Sequence, residues 1–327
     1  VGSTFMTTLL YRLMEKKMTA ISRREFMHLS TAVAAGALLT ACQPATPQAT
    51  TSPEEQKPEE QPTEAPKGPE RPKTFPLGNV PRNRTLQYKY QTAPVQGIFN
   101  TFAGGFNHQV GNACLLEPCA YYGAHADKTY MWLAESYKYN DNATECTITF
   151  RKGIKWSDGT PWTAEDPAWA METLKRVEGL SRSGTYKVEL EKAEAVDDIT
   201  LKVTLNQPDW RFFFKSLTFR FDLGDYVMAI PKHIYQDIPE DELTSFTFWD
   251  KEKGWPVSTG PYGVAESVEQ ATNYDLRPSW WAVETGFVEK EPDVWRLVNS
   301  LHTSDTLSAQ LLINKELDHS LSMTPAI

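Results

Sequence analysis

Thr144 to Leu174 reads TECTITFRKGIKWSDGTPWTAEDPAWAMETL. Its first seven residues alternate in polarity and carry β-branched side chains, which predicts a strand over Thr144 to Phe150 with one face buried. Ser157-Asp158-Gly159 is a turn signal, with glycine free to take a positive φ. Beyond it, Pro161 to Leu174 has helical spacing. Thr163 and Asp166 lie three apart as a capping pair, and Pro167 suits the first turn, where its missing N–H costs no bond.

The surrounding chain extends the strand–turn–helix pattern into a mixed α/β fold. Thr85 to Tyr90 alternates as a first strand, and Ser136 to Tyr139 is a strand joined to the next by Asn140-Asp141-Asn142. Ala113 to Tyr122 is an apolar run that reads as helical. Val188 to Val196 and Ile199 to Leu205 flank a two-residue hairpin at Asp197-Asp198. Val227 to Ile230 reads as a short strand, and Pro231 to Gln236 as a helical turn. Tyr262 to Val268 and Asn273 to Leu276 form a hairpin, and Val294 to Asn299 a strand. Ser304 to Ile313 is a helix capped by Thr303 or Ser304, and Leu317 to Leu321 opens another strand. No internal repeat and no βαβ series is present.

The first 80 residues have a different character. Met18 to Cys42 has a basic start followed by Leu29 to Ala41, 13 small or apolar residues without a charge. That is the length of a signal-peptide apolar region and too short to span a bilayer. Ser22-Arg23-Arg24-Glu25-Phe26-Met27 resembles a twin-arginine export signal. Leu39-Thr40-Ala41-Cys42 resembles a lipobox, which would make Cys42 the lipidated first residue of the mature protein. Residues 1–17 then read as upstream translation, and residues 18–41 as the cleaved signal. Gln43 to Lys73 holds 8 prolines in 31 residues among Thr, Gln and Glu. This composition makes residues 42–80 an extended, disordered tether, leaving 81–327 to fold.

Lys+Arg number 33 against 42 Asp+Glu, for a net charge of −9, and the pI is 5.3. An acidic chain has no electrostatic footprint for nucleic acid. Hydrophobic residues at 40% and aromatics at 12% supply a real core.

Several colinear stretches resemble the bacterial extracellular solute-binding proteins of family 5, the peptide- and nickel-type receptors of ABC importers. Trp132-Leu133-Ala134-Glu135-Ser136-Tyr137 is similar to the family's "LAESY" strand, and Arg151 to Asp166 to its "LRKGVKWSDG" and "TAEDV" segments. Val196 to Leu205 resembles "VDDYTVTFTL", Ile230 to His233 "VPKH", Ser258 to Tyr262 "GTGPY", Arg277 to Trp281 "RNPDYW", and Asn314 to Asp318 "NGEID". Pro167, Ser258 and Lys315 depart from the pattern.

The resemblance implies the first lobe of a two-lobe, periplasmic-binding-protein type II-like fold with the second lobe missing. Its expected role is capture of an oligopeptide or similar small solute outside the membrane and delivery to ABC permease subunits. The chain would be held at the outer face of the membrane through lipid on Cys42. No cofactor, nucleic-acid partner or catalytic residue follows from it. The rival is a secreted, lipid-anchored hydrolase using the Asp158 and Glu165 carboxylates, but turns and helix starts commonly carry such residues.

His108, Cys114, Cys119 and His125 form the best metal candidate, yet the cysteine spacing of five departs from the usual zinc pattern, so no metal site is expected. Cys114, Cys119 and Cys146 allow at most one disulfide, Cys114–Cys119 or Cys114–Cys146. For the ligand, the Gly-rich loop after the first strand is favoured: Phe102, Gly104, Gly105, Phe106 and Asn107, with Trp249 as a weaker candidate.

Overall fold

The computed structural model describes residues 70–89, 96–104, 115–220, 227–300 and 304–320. Two hydrophobic clusters organise them.

The first cluster is built on a four-stranded antiparallel sheet in the order β4-β5-β7-β6. Its strands are β4 (Ala134–Tyr139), β5 (Glu145–Phe150), β6 (Leu190–Asp197) and β7 (Thr200–Leu205). In β5 and β7 every second residue is buried, so Cys146, Ile148, Phe150, Leu201, Val203 and Leu205 enter the core. The β4–β5 turn is closed by Asn140, whose Oδ1 accepts the N–H of Thr144 (2.9 Å) and Glu145 (3.0 Å). Asp197 pairs with Thr200, so the hairpin loop is Asp198-Ile199, one residue later than expected.

Helix α1 (Glu165–Arg176) packs on this sheet. Ala164, Pro167, Ala168, Met171 and Leu174 make its buried stripe, at the spacing of one helical face. Thr163 and Asp166 bond each other without forming a capping box: the Asp166 N–H donates to the Thr163 carbonyl at 3.1 Å, not to its hydroxyl. Thr163 Oγ1 accepts the Glu165 N–H (3.3 Å), and Asp166 Oδ2 accepts the Thr163 N–H (2.9 Å). The helix starts at Glu165 after the Ala164 N-cap, which has no side-chain cap, rather than at Pro161, which instead bridges to Lys155 across the Ser157–Gly159 turn. A short helix α2 (Ser183–Glu189) delays β6 to Leu190.

The second cluster lies on a five-stranded mixed sheet in the order β12-β1-β11-β10-β9. It comprises β1 (Thr85–Lys89), β9 (Tyr262–Val268), β10 (Ala271–Leu276), β11 (Arg296–Ser300) and β12 (His319–Ser320). β1 is parallel to both of its neighbours, and β10 is antiparallel to both of its own. Helix α5 (Asp305–Ile313) connects β11 to β12 with Ser304 as N-cap, its Oγ accepting the Leu307 N–H at 3.1 Å.

Three further expectations are corrected. Ala113 to Tyr122 is not helical where it is described: Leu115–Pro118 is irregular, and Ala120–Gly123 is strand β2. Pro118 disfavours helix for the residue before it. Tyr121 finds a cross-strand partner in Tyr130 of β3 (Lys128–Met131), and β2 also pairs in parallel with β8 (Thr218–Phe219). Val227 to Ile230 is not a strand, since Val227–Ala229 is a buried 3₁₀ turn. It leads into helix α3 (Lys232–Tyr235), and so short an apolar run carries no decisive period.

The third correction concerns the tether. Its last part, from Glu70 on, is packed. Arg71 pairs with Glu291 at 2.7 Å, Leu77 is 5% exposed, and the Leu77 N–H donates to Asp275 Oδ2 at 2.8 Å. The signal, lipobox and remaining tether lie outside the described residues, with Arg23, Arg24 and Cys42 among them.

Candidate functional site

In open sheets with parallel strands, ligands bind outside the carboxyl ends of those strands. Here β1 and β11 run side by side, and their carboxyl ends carry polar groups that the core does not need. Lys89 closes β1 with its side chain 10% exposed, and its Nζ lies 3.1 Å from Asp305 Oδ1 at the start of α5. Ser267, Thr272, Asn299 and Tyr88 occupy one register row across β9, β10, β11 and β1. Thr272 and Asn299 are fully buried, and neither the Thr272 hydroxyl nor either Asn299 amide atom has a hydrogen-bond partner among the described residues. Such orphaned polar atoms are rare in a native interior and mark a place where water or another polar group belongs.

Gly97 touches this row. The Gly97 N–H donates to Ser267 Oγ at 2.9 Å. Gly97 has φ +67, and a Cβ there would come 3.1 Å from Trp249 Cδ1. The Trp249 ring also packs on Phe99, 5.4 Å between centroids. Asn100 anchors the segment from inside: its Nδ2 donates to Leu243 O (2.6 Å) and Phe246 O (2.8 Å), and its Oδ1 accepts the Phe102 N–H (2.9 Å). This clamp sends Phe102 into the core rather than to a solute. The ring is 1% exposed and edge-on to Tyr235 at 5.5 Å. Gly104 is exposed with open space around it. Gly105, Phe106 and Asn107 lie outside the described residues. Trp249 thus lies against Gly97 and Phe99, and Phe102 is part of the core.

The carboxylates of the quoted stretch are structural. Asp158 Oδ1 accepts the Thr160 N–H (2.9 Å), and Oδ2 lies 2.8 Å from His233 Nε2. Burial pushes this carboxyl up, but the Thr160 and His233 bonds outweigh it and hold Asp158 below the usual carboxylate range. Glu165 pairs with Lys232 at 2.7 Å. Asp166 joins α1 to α3 by accepting the Lys232 N–H on Oδ1 at 2.9 Å. Each carboxylate has a fixed partner, and Ser157, the nearest hydroxyl in sequence, accepts the Ser258 N–H at 3.2 Å.

Cys119 and Cys146 are free and buried, and burial pushes both thiols up, Cys146 to about 12. His125 is exposed, and His108 and Cys114 lie outside the described residues. Among the described residues no group of three or more His, Cys, Asp or Glu is arranged to hold a metal ion.

Sequence reasoning missed Lys89, Thr272, Asn299 and Asp305. The available signal was an Asn directly after the apolar Leu297-Val298 pair of the strand RLVNS.

Residues 128–327 match the family described as bacterial extracellular solute-binding proteins, family 5 middle. The chain belongs to this family.

The chain is also similar to individual binding proteins. A putative ABC transporter peptide-binding protein of Brucella ovis is 26% identical over 190 residues, 56% of this chain and 33% of that protein. A glutathione-binding protein of Salmonella paratyphi A is 39% identical over 176 residues, 52% of this chain and 30% of that protein. The mannohexaose-bound periplasmic oligopeptide-binding protein of Thermotoga maritima superposes with a TM-score of 0.64 at 28% identity, over 76% of this chain and 43% of that one. The chain therefore spans about a third of these curated relatives and less than half of the solved structure. Its mixed α/β architecture is part of the family 5 fold, whose members are substrate-binding transport proteins.

Proposed function

We propose that this chain is the first lobe of the solute-binding component of an ABC importer, held outside the membrane by lipid on Cys42. In this reading it contributes one wall of a cleft for a short peptide or a solute of similar size. The observation that carries the reading is the polar row at the carboxyl ends of β1 and β11. Asn299 and Thr272, buried and without hydrogen-bond partners among the described residues, lie there with Gly97 and Trp249 alongside, in a chain whose family binds solutes. Peptide main chains carry an N–H and a C=O at each residue, which an Asn amide matches on both of its atoms. Two lobes closing on the solute would complete its burial, and the closed form would dock on the permease. The mannohexaose in the Thermotoga relative makes an oligosaccharide the second ligand class to test.

Calorimetry of the 327-residue chain with di- to pentapeptides, glutathione and mannohexaose, run beside a product assay, tests this reading. Weak saturable binding or none, with every ligand recovered intact, is expected of one lobe. Nanomolar affinity would overturn the single-lobe reading. Turnover abolished by Asp158→Ala in a folded chain would overturn the receptor reading in favour of a hydrolase.

A further inference from the structure

A second cleft opens on β9, the edge strand of the five-stranded sheet. Its volume is about 310 Å³, at the low end for a small-molecule site. Phe75, Pro76, Trp255 and Pro256 give it an apolar lining over Val264 and Ala265 of β9. Lys251, Lys253 and Arg277 bring three cations to the same space, against the carboxylate of Glu252. None of Lys89, Trp249, Thr272 and Asn299 lines it, so it is separate from the polar row.

Two of the cations are held by aromatic rings. Lys253 Nζ lies 4.5 Å from the Trp255 ring centroid, and Arg277 Cζ lies 5.8 Å from that of Phe75. A cation over an aromatic face is attracted by the ring and still has N–H groups to donate. Trp255 is backed by Phe246 at 5.7 Å and Phe248 at 5.9 Å. Arg277, between β10 and helix α4 (Trp281–Glu284), is anchored by donating to Tyr262 O (2.9 Å) and Ser258 Oγ (3.0 Å). Gly263 seats both Arg277 and Phe75: a Cβ there would come 2.8 Å from Phe75 Cζ and 3.1 Å from Arg277 Cζ.

The lysines are presented by a closed turn. Asp250 Oδ1 accepts the N–H of Glu252 (3.0 Å) and of Lys253 (3.1 Å), Asp250 O accepts the Trp255 N–H (2.9 Å), and Gly254 turns at φ +70. Asp250 Oδ2 is a distant partner for Lys253, at 3.6 Å. No carboxylate pairs with Lys251 among the described residues. Elsewhere in this chain of net charge −9, cations such as Arg71, Arg82 and Lys155 each face a carboxylate at 2.7–3.1 Å.

We propose that this cleft binds a small organic anion with a flat apolar body, of which an arene carboxylate is the simplest form. The anionic group lies among Lys251, Lys253 and Arg277, and the ring lies against Phe75 and the two prolines. Phe75 is 38% exposed, so a ring laid on it takes from water an aromatic surface that the fold leaves wet. Exposed lysines alone hold an anion weakly, and the apolar surface alone does not select charge. The two together fit a molecule that carries both. This site does not depend on the solute-binding reading.

Phenylacetate is the probe. It is titrated into the full chain while the indole N–H resonances of Trp255 and Trp249, assigned from Trp255→Phe and Trp249→Phe, are followed. Acetate carries the charge without the ring, and phenylacetamide the ring without the charge. The Trp255 resonance should move saturably with phenylacetate, and the Trp249 resonance should not. Acetate and phenylacetamide should each bind about fivefold more weakly or worse, and Lys251→Gln combined with Lys253→Gln should weaken phenylacetate about fivefold. Added salt should weaken phenylacetate in the wild-type chain. A flat Trp255 resonance, equal binding of phenylacetamide, or undiminished binding by the double variant would overturn the proposal. Movement of Trp249 alone would place the anion beside the polar row, which also overturns it and leaves the receptor reading standing. If the double variant does not fold, phenylacetate against phenylacetamide in the wild-type chain decides.

Discussion

Asp166 shows how one side chain serves two elements. Its two oxygens accept one main-chain N–H each, from Thr163 at the start of α1 and from Lys232 at the start of α3. Burial pushes the carboxyl up, against those two bonds. Asp166→Ala would leave both N–H groups without acceptors in a partly buried site, at about 1–3 kcal/mol each. The expected loss is therefore ~2–6 kcal/mol in urea unfolding. Asp166→Asn keeps one acceptor and sets an amide N–H₂ against the other donor, so its loss should lie between zero and that of alanine. Equal stability of all three proteins would show that the link contributes nothing. The Thr163–Asp166 half of the arrangement was legible in the sequence because its partners are three residues apart. The Lys232 half was not, because 66 residues separate the partners. The hydrogen bond from the Trp281 indole N–H to the buried Glu117 carboxyl, 164 residues apart, was hidden for the same reason.

At the scale of elements, legibility followed periodicity. β5 and β7 are strands with one buried face, so every second residue is apolar and the pattern announces itself. LLEPCAYY has no such alternation, and its strand β2 is decided by pairing with β3 and β8 and by Pro118, not by local preference. Phe102 went into the core because Asn100 ties its segment to Leu243 and Phe246, a long-range constraint that no window around the Gly pair contains. Single positions within these elements carry measurable weight. Ser304→Ala removes the Oγ that accepts the Leu307 N–H and should cost about 1 kcal/mol. Gly153, at φ +80, would place a Cβ 2.8 Å from Thr285 Cγ2. Gly153→Ala therefore adds left-handed strain to a steric contact and should cost ~1–3 kcal/mol. Paired urea curves of the two variants check both the values and their order, with the glycine change the larger.

At the scale of the molecule, the two cores are legible as a class of fold but not in their boundary. Proline density predicted a solvated tether as far as Val80, yet its last part closes the edge of the second core. Leu77 is buried among Tyr262, Tyr274 and Trp295 of that cluster. Its N–H donates to Asp275, which also takes Arg296 through two bonds at 2.6 and 2.8 Å. Arg71 and Lys73 share Glu291, at 2.7 and 2.9 Å, and hold that carboxyl below the usual range although burial pushes it up. Composition reports what a segment lacks, not what waits to receive it: one Leu and one Arg suffice when a buried Asp and a Glu are already in place. A chain beginning at Pro81 would lose the Leu77 burial, worth about 1.5–3 kcal/mol, with the Asp275 and Glu291 bonds in addition. Set beside a chain beginning at Glu70, it should unfold at a temperature lower by on the order of 10 °C. Equal melting temperatures would return residues 70–80 to the tether. A loss of that size would place the start of the folded lobe at or before Arg71, and any binding assay on this lobe would then have to use the longer chain.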